Sequence, residues 1–120
     1  MGKLVLVIED DENIRDALAE ILEYEGYAVK LAGNGREGLD RLAEGKAPDL
    51  ILLDLMMPVM SGPEFLKRFQ TLPSFSHIPV LVLSATATKE NTLGAKGFVK
   101  KPPDVDLLLQ MVATYSLASS

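Results

Sequence analysis

A pair of acids, Asp10 and Asp11, a third acid, Asp54, a hydroxyl, Ser84, and an ammonium, Lys101, are the residues in this chain whose types and positions could do chemistry together. Three carboxylates brought to one place repel each other and cost several kcal/mol unless they are protonated or neutralised by a cation. Oxygen donors at an open, hydrated site favour a hard divalent ion, Mg2+ or Mn2+, over Zn2+. With a hydroxyl and an ammonium added, the set suits phosphoryl transfer, in which catalysis is mostly positioning and neutralisation of phosphoryl oxygens. Asp54, between the acidic pair and the Ser84/Lys101 side, is the predicted nucleophile.

The elements that must position these residues can be read from hydrophobic patterning. Lys3 to Ile8 (KLVLVI) is a nearly continuous apolar run, the mark of a strand covered on both faces, and Glu9, Asp10 and Asp11 end it. From Glu12 to Glu25, apolar positions Ile14, Leu18, Ile21 and Leu22 recur at helical spacing before Gly26. A second strand is predicted over Tyr27 to Leu31 and a short helix over Arg36 to Ala43. Leu50 to Leu53 then forms a third strand ending at Asp54. Pro63 opens a helix through about Phe69, Val80 to Leu83 forms a fourth strand closed by Ser84, and Phe98 and Val99 form a fifth. A final helix is predicted from about Asp104 to Tyr115.

Strict alternation of strand and helix predicts an α/β, doubly wound, flavodoxin-like fold with a five-stranded parallel sheet. For the order 2-1-3-4-5, the switch point lies between strands one and three, where ligands bind beyond the carboxyl ends. Neighbouring strands about 4.8 Å apart bring Asp10 and Asp11 beside Asp54. Ser84 ends the adjacent strand, and the long side chain of Lys101 must reach across roughly two strand spacings, about 10 Å.

Together, Asp10/Asp11, Asp54 to Gly62 (DLMMPVMSG), Leu83-Ser84-Ala85 and Phe98 to Pro102 (FVKKP) resemble the receiver domain of two-component response regulators over nearly the whole chain. The resemblance implies that Asp54 is the phosphoacceptor and that Asp10, Asp11, Asp54 and the Met56 carbonyl hold Mg2+. It further implies that Ser84 is the switch hydroxyl, that Lys101 contacts the phosphoryl group and that Phe98 is the aromatic switch. The implied donor is a phosphohistidine on a sensor histidine kinase or phosphotransfer protein, or a small donor such as acetyl phosphate. The implied output is altered binding of a downstream protein, with slow hydrolysis of the domain's own acyl phosphate. One departure stands out. The connector from Ala85 to Lys96 is close to the minimum for a parallel crossover, which predicts a shortened or irregular fourth helix near Thr88 to Leu93.

Other readings exist for the same residues. Asp11 also suits a helix cap, Asp54 a turn, and Lys100 competes with Lys101 for the site. A degenerate receiver that docks a partner without phosphorylation is the alternative function. A flavin nucleotide carrier of the same strand order is disfavoured, because Glu9, Asp10 and Asp11 would repel a phosphate at the first turn.

Composition narrows the field further. The 120 residues carry 12 Lys+Arg against 17 Asp+Glu, a net charge of −5 that gives no pull toward nucleic acid or anionic lipid. No Cys is present, so disulfides and thiolate metal sites are excluded, which suits a cytoplasmic setting. Residues 1–120 read as one receiver-like domain, with no direct nucleic-acid or membrane partner expected.

Overall fold

Leu4–Ile8 form β1 with all five side chains buried, as do the four of Leu50–Leu53 (β3) and the four of Val80–Leu83 (β4). Ala28–Ala32 (β2) and Gly97–Val99 (β5) complete a sheet of order β2-β1-β3-β4-β5 in which every pairing is parallel. This computed structural model describes residues 3–84, 94–101 and 103–118, so the expected fourth helix near Thr88 to Leu93 lies outside the described residues.

The continuous apolar runs are explained by helices on both faces, since alternate side chains of one strand point to opposite sides. Leu6, Ile8, Ile51, Leu53, Val80 and Val82 pack on one side beneath α2 (Gly35–Leu42) and α3 (Gly62–Phe69), with Leu42, Phe65, Leu66 and Phe69 inserted. The Phe65 and Phe69 rings stack with centroids 5.6 Å apart. On the other side Val5, Val7, Leu50, Leu52, Leu81 and Leu83 meet Leu18 and Leu22 of α1 (Glu12–Tyr24) and Leu108 and Val112 of α4 (Val105–Ala118). Among the described residues, no helix is long and apolar enough to cross a membrane.

Helix starts are set by local chemistry. The side chains of Asp11, Asn34 and Ser61 accept hydrogen bonds from the backbone N–H groups of Ile14, Glu37 and Glu64, capping α1, α2 and α3. Gly26, at φ +96°, ends α1 in the left-handed region that glycine tolerates. Because all five strands run parallel, their carboxyl ends meet one rim of the sheet.

Candidate phosphoacceptor site

The register of β1 against β3 builds the site. Ile8 pairs with Leu53, and the Asp54 N–H donates to the Ile8 carbonyl at 2.9 Å. The residue after Ile8 therefore stands beside the residue after Leu53, which makes Glu9 and Asp54 neighbours. Both are buried, at 2% and 6% exposure, whereas Asp10 is exposed. One carboxylate oxygen from each of Glu9, Asp10 and Asp54 lies within 4.8 Å of the others.

Lys101 reaches this group from beyond β5. Its Nζ donates to Glu9 Oε1 at 2.6 Å and lies 3.5 Å from Asp54 Oδ1. Its backbone N–H lies 3.4 Å from the carbonyl of Ser84, whose own N–H donates to Val99 at 3.1 Å, so the loop after β5 is tied to the end of β4. Ser84 is buried at 2% exposure, and Lys100 is exposed. Glu9 is held from several directions. Its Oε2 accepts from the Asp11 N–H at 3.2 Å, and its carbonyl accepts from Arg15 Nη1 at 2.9 Å. A cleft of about 260 Å3 is lined by Glu9, Asp10, Asp11, Ile14, Asp54, Met56, Ser84 and Lys101.

The acidic group differs from the sequence reading in one member. Asp11 lines the cleft, but its Oδ1 accepts from the Ile14 N–H at 3.1 Å, because it directly precedes the first helical residue and folds back over the α1 terminus. Glu9 takes the place beside Asp10 and Asp54 that sequence reasoning gave to Asp11. Phe98 lies on β5, paired with Val82 and 41% exposed, and Met56 is 69% exposed at the mouth of the cleft.

Burial dominates the electrostatics. It raises the Glu9 and Asp54 carboxyls above the ordinary carboxylate range. Asp54 adds to the rise at Glu9, Asp10 adds to the rise at Asp54, and Lys101 offsets part of both. For Lys101, burial disfavours the ammonium, yet the hydrogen bond to Glu9 and the charges of Asp54 and Glu9 together outweigh it and raise its pKa. The donor set fits a hard divalent ion: three carboxylates, oxygen ligands only, with the Asp10 side open to water.

The arrangement resembles known proteins. The family model for the response regulator receiver domain matches residues 5–113. The chain is 40% identical over 113 residues to the uncharacterized transcriptional regulatory protein YkoG of Bacillus subtilis, covering 90% of this chain and 48% of that protein. It is 33% identical over 120 residues to the polar-differentiation response regulator DivK of Brucella anthropi, covering 96% and 97%. Thus the chain spans about half the length of some curated relatives and nearly all of others. The crystal structure of a CheY-like response regulator receiver domain protein from Methanospirillum hungatei superposes with a TM-score of 0.88 at 28% identity, covering 99% of this chain and 97% of that one. Sheet order, rim chemistry and a family match running through nearly every element agree, and the chain belongs to the response regulator receiver domain family.

Proposed function

We propose that residues 1–120 act as one phosphoacceptor signalling unit of the cytoplasm, taking a phosphoryl group onto Asp54 from a phosphohistidine on a sensor histidine kinase or phosphotransfer protein. The observation that carries this reading is the burial of Asp54 between acids on one side and the Lys101 ammonium on the other. Glu9, Asp10, Asp54 and the Met56 carbonyl would hold Mg2+, or Mn2+. When bound, such an ion neutralises charge on the acids and on the phosphoryl oxygens.

An Asp54 carboxylate oxygen attacks phosphorus, the P–N bond to the donor imidazole breaks, and the leaving nitrogen takes the electron pair. The Lys101 ammonium, 3.5 Å from Asp54 Oδ1, then pairs with a phosphoryl oxygen, and the buried Ser84 hydroxyl donates to another. Movement of Ser84 toward the phosphoryl group opens space on the β4–β5 side for Phe98 to turn inward and change partner binding. Attack of water on phosphorus breaks the P–O bond to Asp54, releases inorganic phosphate and returns the carboxylate slowly, so the domain is a timed signal rather than a turnover enzyme.

A receiver that works without phosphorylation is not favoured by any observation, because the acids, hydroxyl and lysine face one cleft. Incubation with Mg2+ and acetyl phosphate, followed by intact mass, tests the reading. One added phosphoryl group is expected, prevented when the ion is chelated before the donor is added and absent in Asp54→Asn. Full labelling of Asp54→Asn would overturn the assignment.

A further inference from the structure

Among the described residues, Lys101 pairs with two carboxylates and is bonded more closely to the one that is not the proposed phosphoacceptor. Its Nζ lies 2.6 Å from Glu9 Oε1 and 3.5 Å from Asp54 Oδ1. Glu9 is fixed for this task. The Asp11 N–H holds Oε2 and the Arg15 guanidinium holds the backbone carbonyl, so Glu9 is anchored by contacts other than the lysine. The reach also depends on side-chain length. An aspartate here, one methylene shorter, would withdraw its oxygens from a 2.6 Å contact and leave Asp54 as the nearest anion.

We propose that Glu9 is a positioning residue, a latch that holds the Lys101 ammonium off Asp54 in the resting domain and leaves the Asp54 carboxylate available to a cation and a phosphoryl donor. An ammonium paired tightly with Asp54 would compete with a divalent ion for the same oxygens. Drawing Lys101 to the side keeps it within one short movement of the phosphoryl group without that competition. This inference rests on the phosphoacceptor reading and gives Glu9 a role beyond supplying one oxygen to the ion.

Two measurements test it. In metal-free protein labelled with 15N-lysine, the Lys101 ammonium of the wild type should give a protected resonance whose shift and exchange rate change in Glu9→Asp. An unchanged resonance would overturn the latch, whatever the phosphoacceptor reading's fate. The second follows Mg2+ binding through the shift in melting temperature. Glu9→Asp, which keeps the charge, should weaken Mg2+ about tenfold. Adding Lys101→Met to that variant should restore most of the loss, whereas Lys101→Met alone should change Mg2+ affinity less. If Glu9→Asp and the double variant bind Mg2+ equally weakly, Glu9 is a ligand only and the latch is overturned. A wild type that shows the protected ammonium yet takes no phosphoryl group would instead sink the phosphoacceptor reading and leave the Glu9–Lys101 contact standing.

Discussion

Gly62 lies directly against the backbone of Asp54: a β-carbon added at Gly62 would stand 2.6 Å from the Asp54 carbonyl oxygen and 2.6 Å from Leu55 Cα. The Gly62 N–H also donates to the Leu55 carbonyl at 2.9 Å, closing the loop that follows Asp54. No flexible side chain is available to yield, so the backbone must. Gly62→Ala should lower stability by about 1–3 kcal/mol and slow formation of the acyl phosphate, because Asp54 moves with its own carbonyl. Urea unfolding and the rate of adduct formation from acetyl phosphate check both parts.

Charge at Asp54 is a burden on the metal-free fold. Its carboxyl pKa is raised by burial, so the folded state holds the proton more tightly than the unfolded chain. Stability from this group is fully present below the ordinary carboxylate range and is lost as pH rises through the folded value. Asp54→Asn should therefore stabilise the metal-free domain at pH 7.5 by on the order of 1 kcal/mol. That advantage should vanish toward pH 4, as read by denaturant melts across pH.

Removing Lys101 should do the reverse. Glu9 is 2% exposed and would lose its counter-charge, and breaking a buried pair from one side typically costs about 3–5 kcal/mol. With the Lys101 side chain 19% exposed, solvent softens the loss, so Lys101→Met should cost about 2–3 kcal/mol without metal. Millimolar Mg2+ should recover part of it, raising the melting temperature of this variant by more than that of the wild type.

At the β2 edge of the sheet, Lys30 ties down the end of α2. Its Nζ donates to the carbonyls of Arg41 at 3.2 Å and Lys46 at 2.9 Å, and to that of Glu44. An ammonium there satisfies carbonyls that the helix leaves open. Lys30→Met should cost about 2 kcal/mol and raise amide exchange over residues 41–46, with phosphorylation of Asp54 unchanged.

Much of this was legible in the sequence, for physical reasons that differ by element. Leu50 to Leu53 and Val80 to Leu83 could only be strands buried on both faces, and their observed bounds are the same. The ends of helices were less distinct. The sequence reading starts the second helix at Arg36, whereas it begins at Gly35 because Asn34 caps it. The sequence predicts a last helix from about Asp104 to Tyr115, whereas it spans Val105–Ala118, because it is apolar nearly all round and its periodicity marks no end. The Glu9 position was missed because an acid just after an apolar run reads as a terminator. A signal existed: Asp54 directly follows β3, so in a parallel pair of matching register its neighbour must directly follow β1. Asp11 carried the opposite ambiguity, and the cap claimed its carboxylate.

Glu9 and Lys101 are 92 residues apart in sequence, and their contact completes the rim. A chain emerging from the ribosome presents its first acids long before the cation that balances them, and contacts so distant in sequence close late. Until translation has passed residue 101 and the last strand has docked, the half-made rim lacks its cation. The rim is therefore balanced only when the most distant of its contacts has closed.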